Sequence, residues 1–155
     1  MQNFDSEHSK ILELALCCRS LNSPHGTSKI DPIVKVYQRA NRSWTLIGQT
    51  EQAKHTSNPD FFKTVPINYN FECKQPLRFE VEFDQEGSFV ASAEIDLSTL
   101  AGSKNQTSIL DLTADGQKCG KIIIRIDKSA QKRKTIKLNK PTDFTGLPQA
   151  QITEA

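Results

Sequence analysis

The sequence predicts an all-β fold: an eight-stranded antiparallel β-sandwich followed by a basic, extended C-terminal tail. Three observations carry that expectation. Apolar residues recur with a period of two, turn-forming clusters separate the runs at short and fairly regular spacing, and no stretch shows a long amphipathic helical repeat. Each sheet of such a sandwich hides its apolar face only by packing on the other.

The first strand is read in Ile11 to Cys18, where Leu12, Leu14 and Leu16 share a face. Asn22-Ser-Pro-His-Gly26 then turns the chain into Ile33–Gln38, and Arg39-Ala-Asn-Arg-Ser43 turns it again into Trp44–Ala53. Thr56-Ser-Asn-Pro-Asp60 precedes a fourth strand, Lys63–Asn70. The fifth is the cleanest: Leu77, Phe79, Val81 and Phe83 point one way, and Arg78, Glu80 and Glu82 the other. Phe89–Leu97 and Thr107–Leu112 follow, then the turn at Asp115-Gly116. The last strand alternates Ile122, Ile124 and Ile126 with Ile123, Arg125 and Asp127. Beyond Asp127 the alternation weakens. The chain therefore divides into a lead over 1–9, a sandwich over 10–127, and a basic segment with a polar tail over 128–155.

At 155 residues, 36% hydrophobic and 25% charged, the chain has room for one domain and a real core. The net charge of +2 hides an asymmetry. Between Lys121 and Lys140 eight Lys/Arg face a single acid, Asp127, while the rest of the chain carries twelve basic and seventeen acidic residues. No apolar run approaches the roughly 18–20 residues of a membrane-spanning helix, and the opening Met1-Gln-Asn-Phe-Asp-Ser-Glu-His8 is unlike a signal peptide. Cys17, Cys18, Cys73 and Cys119 show no Cys-x-x-Cys spacing, so free thiols in a reducing compartment are expected. The expected location is cytoplasmic, peripheral on membranes or within a cytoskeletal assembly.

Several segments together resemble the first C2 domain of the copine family. They are Cys18-Arg-Ser-Leu21, Ser28-Lys-Ile-Asp-Pro32, Gly48-Gln-Thr-Glu51 and Asn58-Pro-Asp-Phe61, then Ile67-Asn-Tyr-Asn-Phe-Glu72, Gln75-Pro-Leu-Arg-Phe-Glu-Val81 and Phe89-Val-Ala-Ser-Ala-Glu-Ile-Asp-Leu97. The likeness runs in order from about Lys10 to Asp127. It implies a sandwich whose loops at one end bind calcium and then phospholipid. Copines normally carry two C2 domains and a von Willebrand A-type domain, so this chain corresponds to the first piece alone, either as a stand-alone relative or as a fragment.

Calcium takes six to eight oxygens, mostly from carboxylates. The first loop keeps Asp31 beside Pro32, but His25 stands six residues earlier where the resemblance calls for aspartate. In the third loop a gapless reading puts Phe83, Gln85 and Ser88 at the ligand positions. A one-residue slip would instead offer Asp84 and Glu86, making with Asp31 a weak three-acid site. The expectation is that calcium dependence is lost or weak, and that no other cofactor is bound. Asp31 is read first as a turn residue that orients the loop.

Without calcium, attachment must rest on other charges. Lys35, Lys54 and Lys63 are candidates for a basic face that contacts lipid or a partner. The denser feature is Lys128, Lys132, Arg133, Lys134, Lys137 and Lys140, which suits an anionic membrane or an acidic protein surface. No specific nucleic-acid signature appears. Nor does a phosphate-binding glycine loop, a nucleophile elbow or a zinc-protease motif, so no catalytic residue is assigned. The sequence thus reads as a non-catalytic attachment module for anionic phospholipid membranes, a protein partner, or both. The alternative is a structural subunit anchored through its C-terminal tail in a larger assembly, cytoskeletal or ciliary.

Overall fold

The computed structural model describes residues 9–23, 30–84 and 89–127. Eight strands form one continuous antiparallel sheet, bent into a nearly closed sandwich. They are β1 (Ser9–Arg19), β2 (Ile33–Ala40), β3 (Ser43–Gln49), β4 (Val65–Asn70), β5 (Pro76–Glu82), β6 (Val90–Asp96), β7 (Thr107–Ala114) and β8 (Gln117–Ile126). Their order is β3-β2-β5-β6-β7-β8-β1-β4. The sheet divides at β6 and β7, which share only the Ser92–Thr113 pair.

The period of two does what it promised. Leu12, Leu14, Leu16 and Cys18 of β1, Val34 and Val36 of β2, Leu77, Phe79 and Val81 of β5, and Ile122, Ile124 and Ile126 of β8 all enter one core. Burying such side chains contributes about 1.5–3 kcal/mol each, which favours the register that brings every one of them inside. A one-residue slip would turn the whole set to solvent.

Several strand ends differ from expectation. The third strand stops at Gln49 rather than Ala53. Thr50, buried, accepts the Val34 N–H on its hydroxyl at 3.0 Å and so takes over from the ladder. The fourth starts at Val65 and the sixth stops at Asp96. Asp96 caps a short helix, α1 (Leu97–Ala101), by accepting the Ser98 N–H at 3.1 Å. A carboxylate at that position ends a strand and starts a helix in the same step. Leu97 and Leu100 of α1 then plug the core between the sheets.

The two open edges, β3 and β4, meet closely. A Cβ on Gly48 would sit 2.8 Å from Val65 Cγ1, so glycine is what lets β3 approach β4. At the far end of β8, Gly120 has φ +125° and lies against the Ser20 carbonyl, where a Cβ would fall within 2.9 Å.

Candidate functional site

Three connections gather at one end of the sandwich: 20–32 between β1 and β2, 50–64 between β3 and β4, and 83–89 between β5 and β6. The middle one is laced to its neighbours by main-chain bonds. Cys18 N–H donates to Pro59 O at 3.0 Å and Phe61 N–H to Leu16 O at 3.2 Å, while Thr56 N–H donates to Ile30 O and Ala53 N–H to Pro32 O, both at 2.9 Å. Side chains add to this. Ser20 N–H reaches Asn58 Oδ1 at 2.9 Å, and Arg19 pairs with Asp60 at 2.8 Å. Glu51 accepts Phe62 N–H at 2.7 Å and Lys63 N–H at 3.1 Å. Burial pushes the Glu51 carboxyl up, but main-chain N–H donors, those of Phe62 and Lys63 first, together with the Lys63 charge outweigh it and hold the group below its ordinary value.

Asp31 belongs to the same lacing. Its carboxylate accepts the His55 N–H at 2.7 Å, its own N–H donates to Phe83 O at 2.9 Å, and its carbonyl accepts Gln52 Nε2 at 2.9 Å. His55 takes the left-handed conformation, φ +51°, in meeting it. Phe83 is buried, stacked edge-on against Phe89 with centroids 5.0 Å apart, and so continues the core alternation. Asp84 follows directly, half-buried, placing two acids at one crossing. Glu86 and His25 lie outside the described residues, and among the described residues no three His, Cys, Asp or Glu side chains come together. At this crossing the described residues bring two carboxylates, and that of Asp31 is engaged by main chain.

Of the three lysines read from the sequence, one stands on a strand and two in a connection. Lys35 stands on the outer side of β2 with Nζ 2.9 Å from Glu82 Oε2, and this partner raises its pKa. Lys54 and Lys63 are exposed in the 50–64 connection. Lys128, Lys132, Arg133, Lys134, Lys137 and Lys140 lie outside the described residues.

A second surface, absent from the sequence expectations, lies at the β2–β3 hairpin. Arg39 and Arg42 are both exposed, and neither forms an ion pair among the described residues. Arg39 is paired in register with Trp44, and Tyr37 with Leu46, which is 48% exposed. Trp44 and Tyr37 are half-buried. Next to them, Arg78 is shared between Glu80 at 2.8 Å and Glu94 at 2.6 Å. The signal lies in the outward positions of β2, where Lys35, Tyr37 and Arg39 alternate with Val34 and Val36. Turn chemistry alone assigns Arg39 to the hairpin loop and hides this alternation.

On the outer face of the other sheet, Ile109, Ile123 and Cys17 line up across β7, β8 and β1. Ile109 is 62% exposed. No helix among the described residues is long and apolar enough to cross a membrane.

The chain is similar to several known proteins. Copine-A of Dictyostelium discoideum is 30% identical over 141 residues, which is 88% of this chain and 23% of copine-A. The chain therefore spans about a quarter of that relative's length. Among solved structures, a C2 domain of plant extended synaptotagmin 1 superposes with TM-score 0.54 at 15% identity, covering 76% of this chain and 93% of that one. BON1-C2B gives a TM-score of 0.52 at 22% identity, covering 78% of this chain and 91% of that one. These likenesses concern the fold. A family model for the C2 domain matches residues 12–112, most of the sandwich. The chain belongs to the C2 domain family, whose members serve as membrane- or protein-binding modules, and within it this domain is copine-like.

Proposed function

We propose that this domain is a non-catalytic attachment module that binds anionic phospholipid surfaces with little or no help from calcium. The observation that carries the reading is the engagement of Asp31 with His55 N–H: the first-loop acid serves to shape the loop end. The burial of Phe83 at a position where a ligand would be needed supports it further. Arg39 and Arg42, exposed beside Trp44 and Leu46 and without an ion pair among the described residues, supply an alternative contact. Arginines attract anionic headgroups, and tryptophan settles at the membrane interface. The basic segment from Lys128 to Lys140 adds charge of the same sign.

Flotation on vesicles of phosphatidylserine and phosphatidylcholine tests this. Reversing both arginines, Arg39→Glu with Arg42→Glu, is expected to lower the bound fraction severalfold at low salt. Unchanged binding would remove the hairpin from the reading. A second reading, attachment to a protein, is favoured by the apolar row of Ile109, Ile123 and Cys17, which no lipid headgroup would recognise.

A further inference from the structure

β6 and β7 are where the sandwich parts. Pairing between them is limited to Ser92 and Thr113, although β6 runs on to Asp96 and β7 begins at Thr107. Alternate main-chain groups of β7 between Ile109 and Asp111 therefore face the seam without a strand partner, and such an edge is a template for an added strand. Between the strands lies an open groove of about 440 Å³, lined by Ser92, Ala93 and Glu94 of β6, by Leu110, Asp111 and Thr113 of β7, and by Arg78 of β5.

Among the described residues, Arg78 is the single cation lining this seam, against the acids Glu94, Asp111 and Asp115. Glu80 and Glu94 share the one guanidinium of Arg78. Asp111 is met from the β8 side by Lys121 at 2.8 Å and Lys118 at 3.5 Å, and Asp115 lines an adjoining hollow that shares Arg78, Ser92 and Thr113 with the groove. Ile109, beside the seam, is 62% exposed.

The chain itself holds a segment of matching chemistry. Residues 128 to 140 contain six Lys/Arg and no acid, with Ile136 and Leu138 at alternate positions. The exit point suits it as well. Arg125 of β8 is paired with Thr107 of β7, so the chain leaves the sheet one strand away from the groove. Crossing two strand spacings takes roughly 10 Å, and the four residues Lys128–Gln131 reach about 13 Å when extended. Tethering at so short a distance gives a high effective concentration.

We propose that the groove between β6 and β7 is the docking site of the chain's own basic segment, Lys128 to Lys140, which lies extended along the β7 edge with its cations toward Glu94, Asp111 and Asp115. Docking in this way covers Ile109 with apolar side chains. It also places the segment in competition with any external acidic surface. The proposal stands whether or not the domain binds lipid.

Amide hydrogen exchange on the full chain tests it, comparing the natural sequence with Lys132→Glu/Arg133→Glu/Lys134→Glu. Protection in the peptide spanning Ile109 to Thr113 is expected to fall by about tenfold or more in the variant, while β1 and β5 keep theirs and report an intact fold. Glu94→Lys should produce the same loss, and combining it with the triple reversal should restore protection. Equal exchange in the natural chain and the triple variant would overturn the proposal. So would protection that disappears on dilution, because it would place a second copy's segment in the groove.

Discussion

The carboxylate of Asp31 and the main-chain N–H of His55 are 2.7 Å apart, and this contact ties the first loop of the domain to its second. It gives the acid a structural task independent of any ion. Asp31→Ala is therefore expected to cost about 1 kcal/mol, the usual net worth of one such hydrogen bond. Asp31→Asn, whose amide oxygen can still accept, should cost much less. Urea denaturation of both variants in chelator checks this. Equal losses would mean that the charge, and not the hydrogen bond, is what matters.

Much of the fold was legible because it depends on alternation, and Leu77, Phe79 and Val81 could be nothing but one face of a strand. The segments that resemble copines also find their reason in the structure. Cys18-Arg-Ser-Leu21 and Asn58-Pro-Asp-Phe61 lie against one another through the Arg19–Asp60 pair and the Ser20–Asn58 bond. Glu51 closes the turn at Phe62 and Lys63, and Gln75 ties β4 to β5 by reaching Asn70 N–H and Asn68 O, both at 2.7 Å. The pairing of the basic side chains was less legible. Charge counts show that Lys35, Lys54 and Lys63 exist, but ion pairing across strands depends on register: Lys35 is held by Glu82, whereas Arg39 and Arg42 stand unpaired among the described residues.

Closure of the sandwich depends on Gly48 against Val65. Gly48→Ala should destabilise by about 1–3 kcal/mol through overpacking. Val65→Ala makes room for the added methyl, so the double variant should lose less than the sum of the single losses. A urea double-mutant cycle measures the coupling. Additive losses would contradict the close approach of β3 and β4.

Acid should weaken the loop end through Glu51. Its folded-state pKa lies below the ordinary 4.5, so its contribution is present above that pH and is lost as pH falls through the folded value. Asp96, buried in part yet held down by Ser98 and by Gln75 N–H, acts in the same direction from its ordinary 3.8. Stability measured by urea at successive pH values should therefore decline below about pH 4.5, and Glu51→Gln should flatten the upper part of that decline. An unchanged profile in Glu51→Gln would refute the role given to its two N–H donors.

The thiols should differ sharply in reactivity. Burial, with Cys17 adjacent, pushes Cys18 up to about 12, and Cys119 is buried as well. A thiolate is the reactive species, so a disulfide reagent should label exposed Cys73 first. Cys18 and Cys119 should react only at the rate of unfolding. Labelling of Cys18 in the native protein, followed by peptide mass analysis, would contradict the placement of β1.

The most direct test of calcium-independent attachment is co-sedimentation of the full chain with anionic and neutral vesicles, each in calcium and in chelator. Salt-sensitive binding to the anionic vesicles, equal in the two conditions, is the expected result, with none to the neutral ones. Binding to anionic vesicles that appears only with calcium, or no binding under any condition, would contradict it.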